Sequence, residues 1–183
     1  MRRFVAFFVF ALLSAPVRAT VLVPIEFREL VAVSPIILHG HVVDVRSDWI
    51  DGRRAIETIV TVEPAEYFKG DLGDRVTFKV PGGELGRYRT IFVGAPVFAQ
   101  GDEVVLFLDG TGAAQPHVVG LSQGVFRVVP DRRSGLSLVI PPAVMGRTDV
   151  DAEPVVRGDI ARKPVPLDTF RQAIRQVIAE GGR

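Results

Sequence analysis

The sequence predicts a mainly β domain: a small barrel of about five strands, with a short helix before it and an amphipathic helix after it. Three observations predict this. From Ile36 to Ile140, β-branched and alternating apolar stretches follow one another, separated by Gly, Pro and Asp turns. The chain has 183 residues, the size of one domain, with 48% hydrophobic residues and no cysteine, so a core can form without covalent staples. Only the two ends, around Phe27 and after Pro166, switch to helical spacing.

The first residues read as a targeting segment. Met1-Arg2-Arg3 is basic, Phe4 to Leu13 is uninterruptedly apolar, and Val17 and Ala19 are the small residues that precede a cut after Ala19. That is the layout of a secretory signal peptide. Its apolar run is about half of the roughly 20 residues that a membrane-spanning helix needs. The expected product is exported, to the periplasm or the medium, with no membrane contact once residues 1–19 are removed.

Charge follows the same division. The chain carries 22 Lys+Arg and 21 Asp+Glu; losing Arg2, Arg3 and Arg18 leaves 19 against 21, a net charge of −2. No basic stripe remains to suggest nucleic acid as a partner, and Arg132-Arg133 reads as a solvated turn. The absence of Cys excludes a disulfide framework, a thiol nucleophile, thiolate metal ligands and a lipoprotein anchor on cysteine.

Residues 20–35 form the N-terminal segment. Phe27, Leu30 and Val31 have helical spacing, Pro24 suits the helix start, Glu26 its first turn, and Ser34-Pro35 its end. Residues 36–141 form the predicted barrel. Ile36–Arg46 is a long β-branched-rich strand, and Asp51-Gly52 a hairpin signal. In Ile56–Glu63, Ile56, Thr58, Val60 and Val62 share one face. These two long strands form a bent meander pair. Lys69–Asp74 is a turn, and Arg75–Val80 a strand with Val76, Phe78 and Val80 inward. Glu84–Gln100 reads as irregular. Val104–Leu108 is apolar on both faces and should be a central strand. Val118–Leu121 is a short strand, and Gly124–Val129 pairs with Leu136–Ile140 across a longer loop.

Pro141-Pro142 closes the β region, and residues 142–166, with Pro154, Pro164 and Pro166, read as a surface linker. Residues 167–180 are the final helix, with Asp168 as N-cap and a stripe of Phe170, Ile174, Val177 and Ile178 that packs on the barrel.

Chemistry-bearing residues are few. His39 and His41 leave the same face of a strand and are candidate metal ligands, but a catalytic zinc site needs a third, and His117 is the only other histidine. Gly120-Leu121-Ser122-Gln123-Gly124 has the letters of a Gly-x-Ser-x-Gly elbow, yet that elbow requires a helix next, and Val125–Val129 reads as a strand. A turn in which Gly120 and Gly124 supply special backbone angles is the simpler reading. Pro81–Gly86 lacks the Lys and the helix of a phosphate loop. Asp102-Glu103 and the Asp149/Asp151 pair read as solvated. Trp49, Tyr67, Phe68, Tyr88 and Phe92 fall at strand ends or in the 84–100 loop, where aromatics either form a binding face or, for Phe68 and Phe92, plug the barrel. No cofactor is expected.

Several of these segments, taken together, carry a resemblance. Tyr67-Phe68-Lys69-Gly70, Val76–Gly83, Val93–Phe98, Gly101–Leu108 and Val119–Phe126 resemble a group of uncharacterised exported bacterial proteins. Their strand order is similar to the OB-fold barrel of netrin-like and TIMP-like (tissue inhibitor of metalloproteinases) domains. The resemblance spans residues 36–129. It implies an OB-like barrel and a non-catalytic binding module that is protease-inhibitor-like or protease-associated. The partner it implies is a protein, a secreted metalloprotease foremost. The zinc clamp of TIMPs is made by an N-terminal Cys, whereas this mature chain would begin Thr20-Val21, so that mechanism does not carry over. The expected partner-binding residues are Thr20, Val21, Trp49, Tyr67 and Tyr88. The rival expectations are a small exported hydrolase using Ser122 or the His39/His41 pair, and an envelope structural or assembly domain.

Overall fold

The computed structural model describes residues 23–110, 115–142 and 163–181. The predicted signal segment 1–19 and most of the predicted linker, 143–162, lie outside the described residues.

The fold is mainly β, as its sequence periodicity demands. After helix α1 (Phe27–Val33) come β1 (Ile36–Ile50), β2 (Ala55–Lys69), β3 (Val76–Pro81), β4 (Gly83–Leu85), β5 (Tyr88–Thr90), β6 (Glu103–Asp109), β7 (His117–Val118), β8 (Val125–Pro130), β9 (Ser137–Ile140), β10 (Val165–Pro166) and helix α2 (Leu167–Gly181). One sheet runs in the order β10-β9-β8-β6-β1-β2-β3, with β7 added to β6; β4 and β5 form a separate hairpin.

The sheet does not close into the predicted small barrel of about five strands. β3 comes alongside β7, but no ladder joins them, so the eight-stranded sheet curls without closing. Two further expectations change. Residues 84–100 are not all irregular, since they contain the β4–β5 hairpin. Val165-Pro166, inside the predicted linker, adds to the sheet edge against Val139 and Leu138. Proline is tolerated there because an edge strand has one side without ladder bonds.

β1 and β2 bend as a pair. Their antiparallel register slips near Ile37/Leu38, His39/Gly40 and Val42/Asp44, and such bulges kink a ladder and increase its twist. At the middle slip Gly40 faces Pro64 so closely that a Cβ would stand 2.5 Å from the Glu63 carbonyl oxygen. Only glycine fits there.

The curled sheet has two apolar faces. Inside the curl lie Leu38, Val42, Val60, Val62, Val76, Phe78, Val80, Val104, Leu106 and Leu108. Beneath the helices lie Ile37, Val105, Phe107, Phe126, Val128 and Val139 with Leu30, Val31, Phe170 and Ile174. β6 contributes to both, which is why it reads as apolar on each face. The alternation predicted for β2 and β3 is the observed one. The helix stripe is also as expected: Phe170 and Ile174 are fully buried, and Phe170 meets Phe27 and Phe126 at 5.4 and 4.9 Å between ring centroids.

The helix ends differ from expectation in detail. Glu26 is the N-cap position of α1 and Glu29 occupies its first turn. Asp168 lies within the first turn of α2 rather than capping it, and pairs with Arg171 at 2.7 Å. α2 is also held by charge, because Glu66 on β2 receives Arg171 at 2.9 Å and Arg175 at 2.7 Å. Among the described residues no helix is long and apolar enough to cross a membrane.

Candidate functional site

The most unusual surface is the segment between β5 and β6. From Thr90 to Gln100 the chain reads TIFVGAPVFAQ, without one charged residue. Ile91, Val93 and Val97 are 74%, 62% and 79% exposed, and Phe92 is half exposed. Isolated apolar side chains on a surface are ordinary, whereas a contiguous group of them marks an interaction site.

This loop is pinned from below. Phe98 turns inward, is buried in the curl, and meets Phe78 edge-on at 5.5 Å. Gly94 O accepts from Ser122 N at 3.0 Å, and Ala95 N donates to Phe92 O at 3.1 Å. Ala99 N donates to Asp102 Oδ2 at 2.8 Å. Arg127 on β8 donates to the same carboxylate at 2.6 Å and to the Val97 carbonyl. Gly101 N and Val42 O close the base at 2.8 Å. The backbone is therefore fixed while Ile91, Val93 and Val97 point away from the core. Holding apolar groups in place before contact lowers the entropy lost on binding. Beside the loop, Val45, Pro81, Phe92, Pro96 and Phe98 help to line a cleft of about 280 Å³.

The N-terminal segment is tied to the same region. Gln123 is buried, at 5% exposure, and its amide accepts from Ile25 N at 2.8 Å and donates to Val23 O at 3.1 Å. One side chain thus imitates a strand neighbour for Val23–Ile25. Val23 itself is 70% exposed, so the segment and the loop, both resting on the turn Leu121–Gly124, offer apolar groups from neighbouring supports.

That turn decides the Gly-x-Ser-x-Gly question. Leu121–Gly124 is one turn of 3₁₀ helix and leads into strand β8, so the strand-turn-helix context of a nucleophile elbow is missing. Gly120 does supply a left-handed angle, φ 62°. Gly124 does not. It is needed for space instead, since a Cβ there would lie 2.4 Å from Val119 O.

The histidine pair is split by burial. His39 is 5% exposed, its Nε2 lies 2.8 Å from Glu103 Oε1, and its Nδ1 is buried without a partner. His41 is exposed on the same face, with ring centroids 6.2 Å apart. His117 is far along the sheet on β7, 3.9 Å from Asp109. Among the described residues no group of three or more His, Asp or Glu is placed to hold a metal ion.

The expected partner-binding residues scatter. Thr20 and Val21 lie outside the described residues. Tyr67 packs against the inner core and donates to Gly73 O at 2.7 Å; burial chiefly, with the Asp71 and Asp74 charges adding, raises its pKa above the ordinary phenol value. It is a support for the turn after β2. Trp49 and Tyr88 do meet, edge to face at 5.2 Å. Of the two proposed plugs, Phe68 packs beneath the helices and Phe92 is half exposed; Phe98 fills the curl. Sequence reasoning missed Phe98, Gln123 and the loop's exposed trio. The uncharged run Thr90–Gln100 was the available signal for the loop.

No family model, curated protein or solved structure matches this chain.

Proposed function

We propose that this chain is an exported binding module without catalysis, which docks a protein partner through the Ile91–Val97 loop and the adjoining N-terminal segment. The observation that carries the reading is the pinned, charge-free loop with Ile91, Val93 and Val97 held outward. A side chain needed only for folding would be turned inward, as Phe98 is. Interfaces draw most of their binding free energy from a few such anchors. The sequence resemblance supports the same class and names a secreted metalloprotease as the first partner to test. The OB-like relation belongs to this proposal and rests on the bent β1–β2 pair and the curl of the sheet.

The test uses the mature chain and its I91D/V97D variant, each immobilised and exposed to culture medium and envelope extract. The proposal expects a protein retained by the wild type and lost from the variant. With that protein purified, the double change should weaken binding by about 30-fold or more, the effect of removing a hot spot worth about 2 kcal/mol. Equal retention by both proteins counts against the loop as the docking site. A hydrolase activity abolished by S122A or H39A, in a protein that remains folded, counts against the non-catalytic reading.

A further inference from the structure

A second site lies between two hairpin tips at the end of the sheet away from the helices. The β1–β2 tip runs through Asp51, Gly52 and Arg53 with φ of 52°, 63° and 69°, a left-handed region that aspartate and arginine enter far less readily than glycine. Arg54 N closes the turn on Ile50 O at 3.2 Å. This unusual path brings Arg53 beside Trp49. Opposite stands the β4–β5 tip, with Leu85, Gly86, Arg87 and Tyr88. These six residues line an open groove of about 350 Å³.

The groove combines aromatic surface with unspent positive charge. Trp49 and Tyr88 meet edge to face, with ring planes at 68°. In that geometry the ring that presents its edge keeps its own faces clear of the contact. Arg87 lies over the Tyr88 ring at 5.1 Å and donates to its hydroxyl at 2.9 Å. Neither Arg53 nor Arg87 has a carboxylate partner among the described residues, whereas the neighbouring Arg89 is paired with Glu84 at 3.1 Å. The acids closest in sequence are turned to other tasks or to solvent: Asp48 accepts from the Trp49 backbone N–H at 2.7 Å, and Asp51 is exposed in the tip.

We infer that this groove binds a carboxylated sugar ring, a uronate unit of an acidic polysaccharide. The apolar C–H face of a pyranose packs on an aromatic face. The ring's carboxylate matches the planar guanidinium fork, which donates two parallel hydrogen bonds to its oxygens. A neutral sugar would leave the two arginines without a counter-charge, and a bare anion would leave the aromatic pair without a body to cover. The site goes beyond the protein-docking loop and stands apart from it, because none of its lining residues belongs to Ile91–Val97.

Trp49 is the only tryptophan in the chain, so its emission reports on this groove alone. The mature protein is titrated with trigalacturonate, and in parallel with maltotriose, acetate and inorganic phosphate. The expected result is a saturable emission change with trigalacturonate only. R53M and R87M should each weaken it by about tenfold, the loss expected for one charge-assisted hydrogen bond, with an unchanged circular dichroism spectrum. Added NaCl should weaken wild-type binding, since exposed charge pairs are screened, which tests the electrostatic part without any substitution. I91D/V97D should leave the titration unchanged, separating this site from the docking loop. A flat titration, an equal response to maltotriose, a response to acetate or phosphate alone, or an affinity indifferent both to salt and to the two arginines would overturn the assignment.

Discussion

The two ends of the β1–β2 pair treat the same residue types in opposite ways. At the helix end, apolar side chains are covered and charges are matched: Phe170 is enclosed by Phe27 and Phe126, Glu66 holds Arg171 and Arg175, and Lys69 donates to the last carbonyls of α1, Val31 O at 2.9 Å and Ala32 O at 3.2 Å, where a cation complements the helix dipole. At the hairpin end Arg53 and Arg87 have no carboxylate among the described residues, and in the β5–β6 loop that leads away from it Ile91, Val93 and Val97 are uncovered. The first end covers its apolar groups and pairs its charges, and so contributes stability. The second fixes its backbone yet leaves side chains unsatisfied, the arrangement expected where contact with another molecule completes the surface.

This contrast breaks most sharply at Phe170. Replacing it with alanine should cost about 3–5 kcal/mol, the range for a fully buried phenylalanine that leaves a cavity, measured by urea unfolding. A cost below about 1 kcal/mol would mean that α2 is not an integral part of the fold. Next comes Gln123→Ala, which strands Ile25 N–H and Val23 O. Both hydrogen bonds are part-buried, so a loss of about 1 kcal/mol is expected, together with faster amide exchange at Ile25. Glu66→Gln probes the charged lock on α2. Its pairs are partly exposed, so about 1 kcal/mol or less is expected, lost further at high salt.

The smallest effect lies in the β8–β9 loop. Asp131 is held below the usual carboxylate range, first by the Ser134 hydroxyl and then by the Arg133 backbone N–H. A carboxylate lowered in the folded state stabilises above its unfolded pKa, and that contribution disappears as pH falls through the folded value. S134A should move the Asp131 titration, followed by NMR, back up toward the ordinary range, and an unchanged titration would remove the hydroxyl as its cause.

Much of the framework was legible in the sequence, because a period of two along β2 and β3 and of 3.6 along α2 are local properties. Val104–Leu108 announced a central strand by being apolar at every position. What depended on distant contacts was not legible. Whether β3 and β7 join is decided by two edges with no local signature, so the closed barrel was expected and the open curl was found. β4, β5 and β10 have two or three residues each, too few to show a period. The Gln123 clamp joins groups 98 and 100 positions away. At the hairpin end, Trp49 and Tyr88 were visible as residues, but their meeting needed the fold, and the exposed trio could be told from the buried Phe98 only once the loop's backbone anchors were known.

The stability of I91D/V97D tests the central claim most directly. If these side chains are held outward for a partner, placing two carboxylates there should leave the urea unfolding free energy within about 0.5 kcal/mol of wild type, as for surface positions. A loss of about 2 kcal/mol or more, the size seen when core side chains are disturbed, would show that they belong to the domain's own interior and would contradict the account.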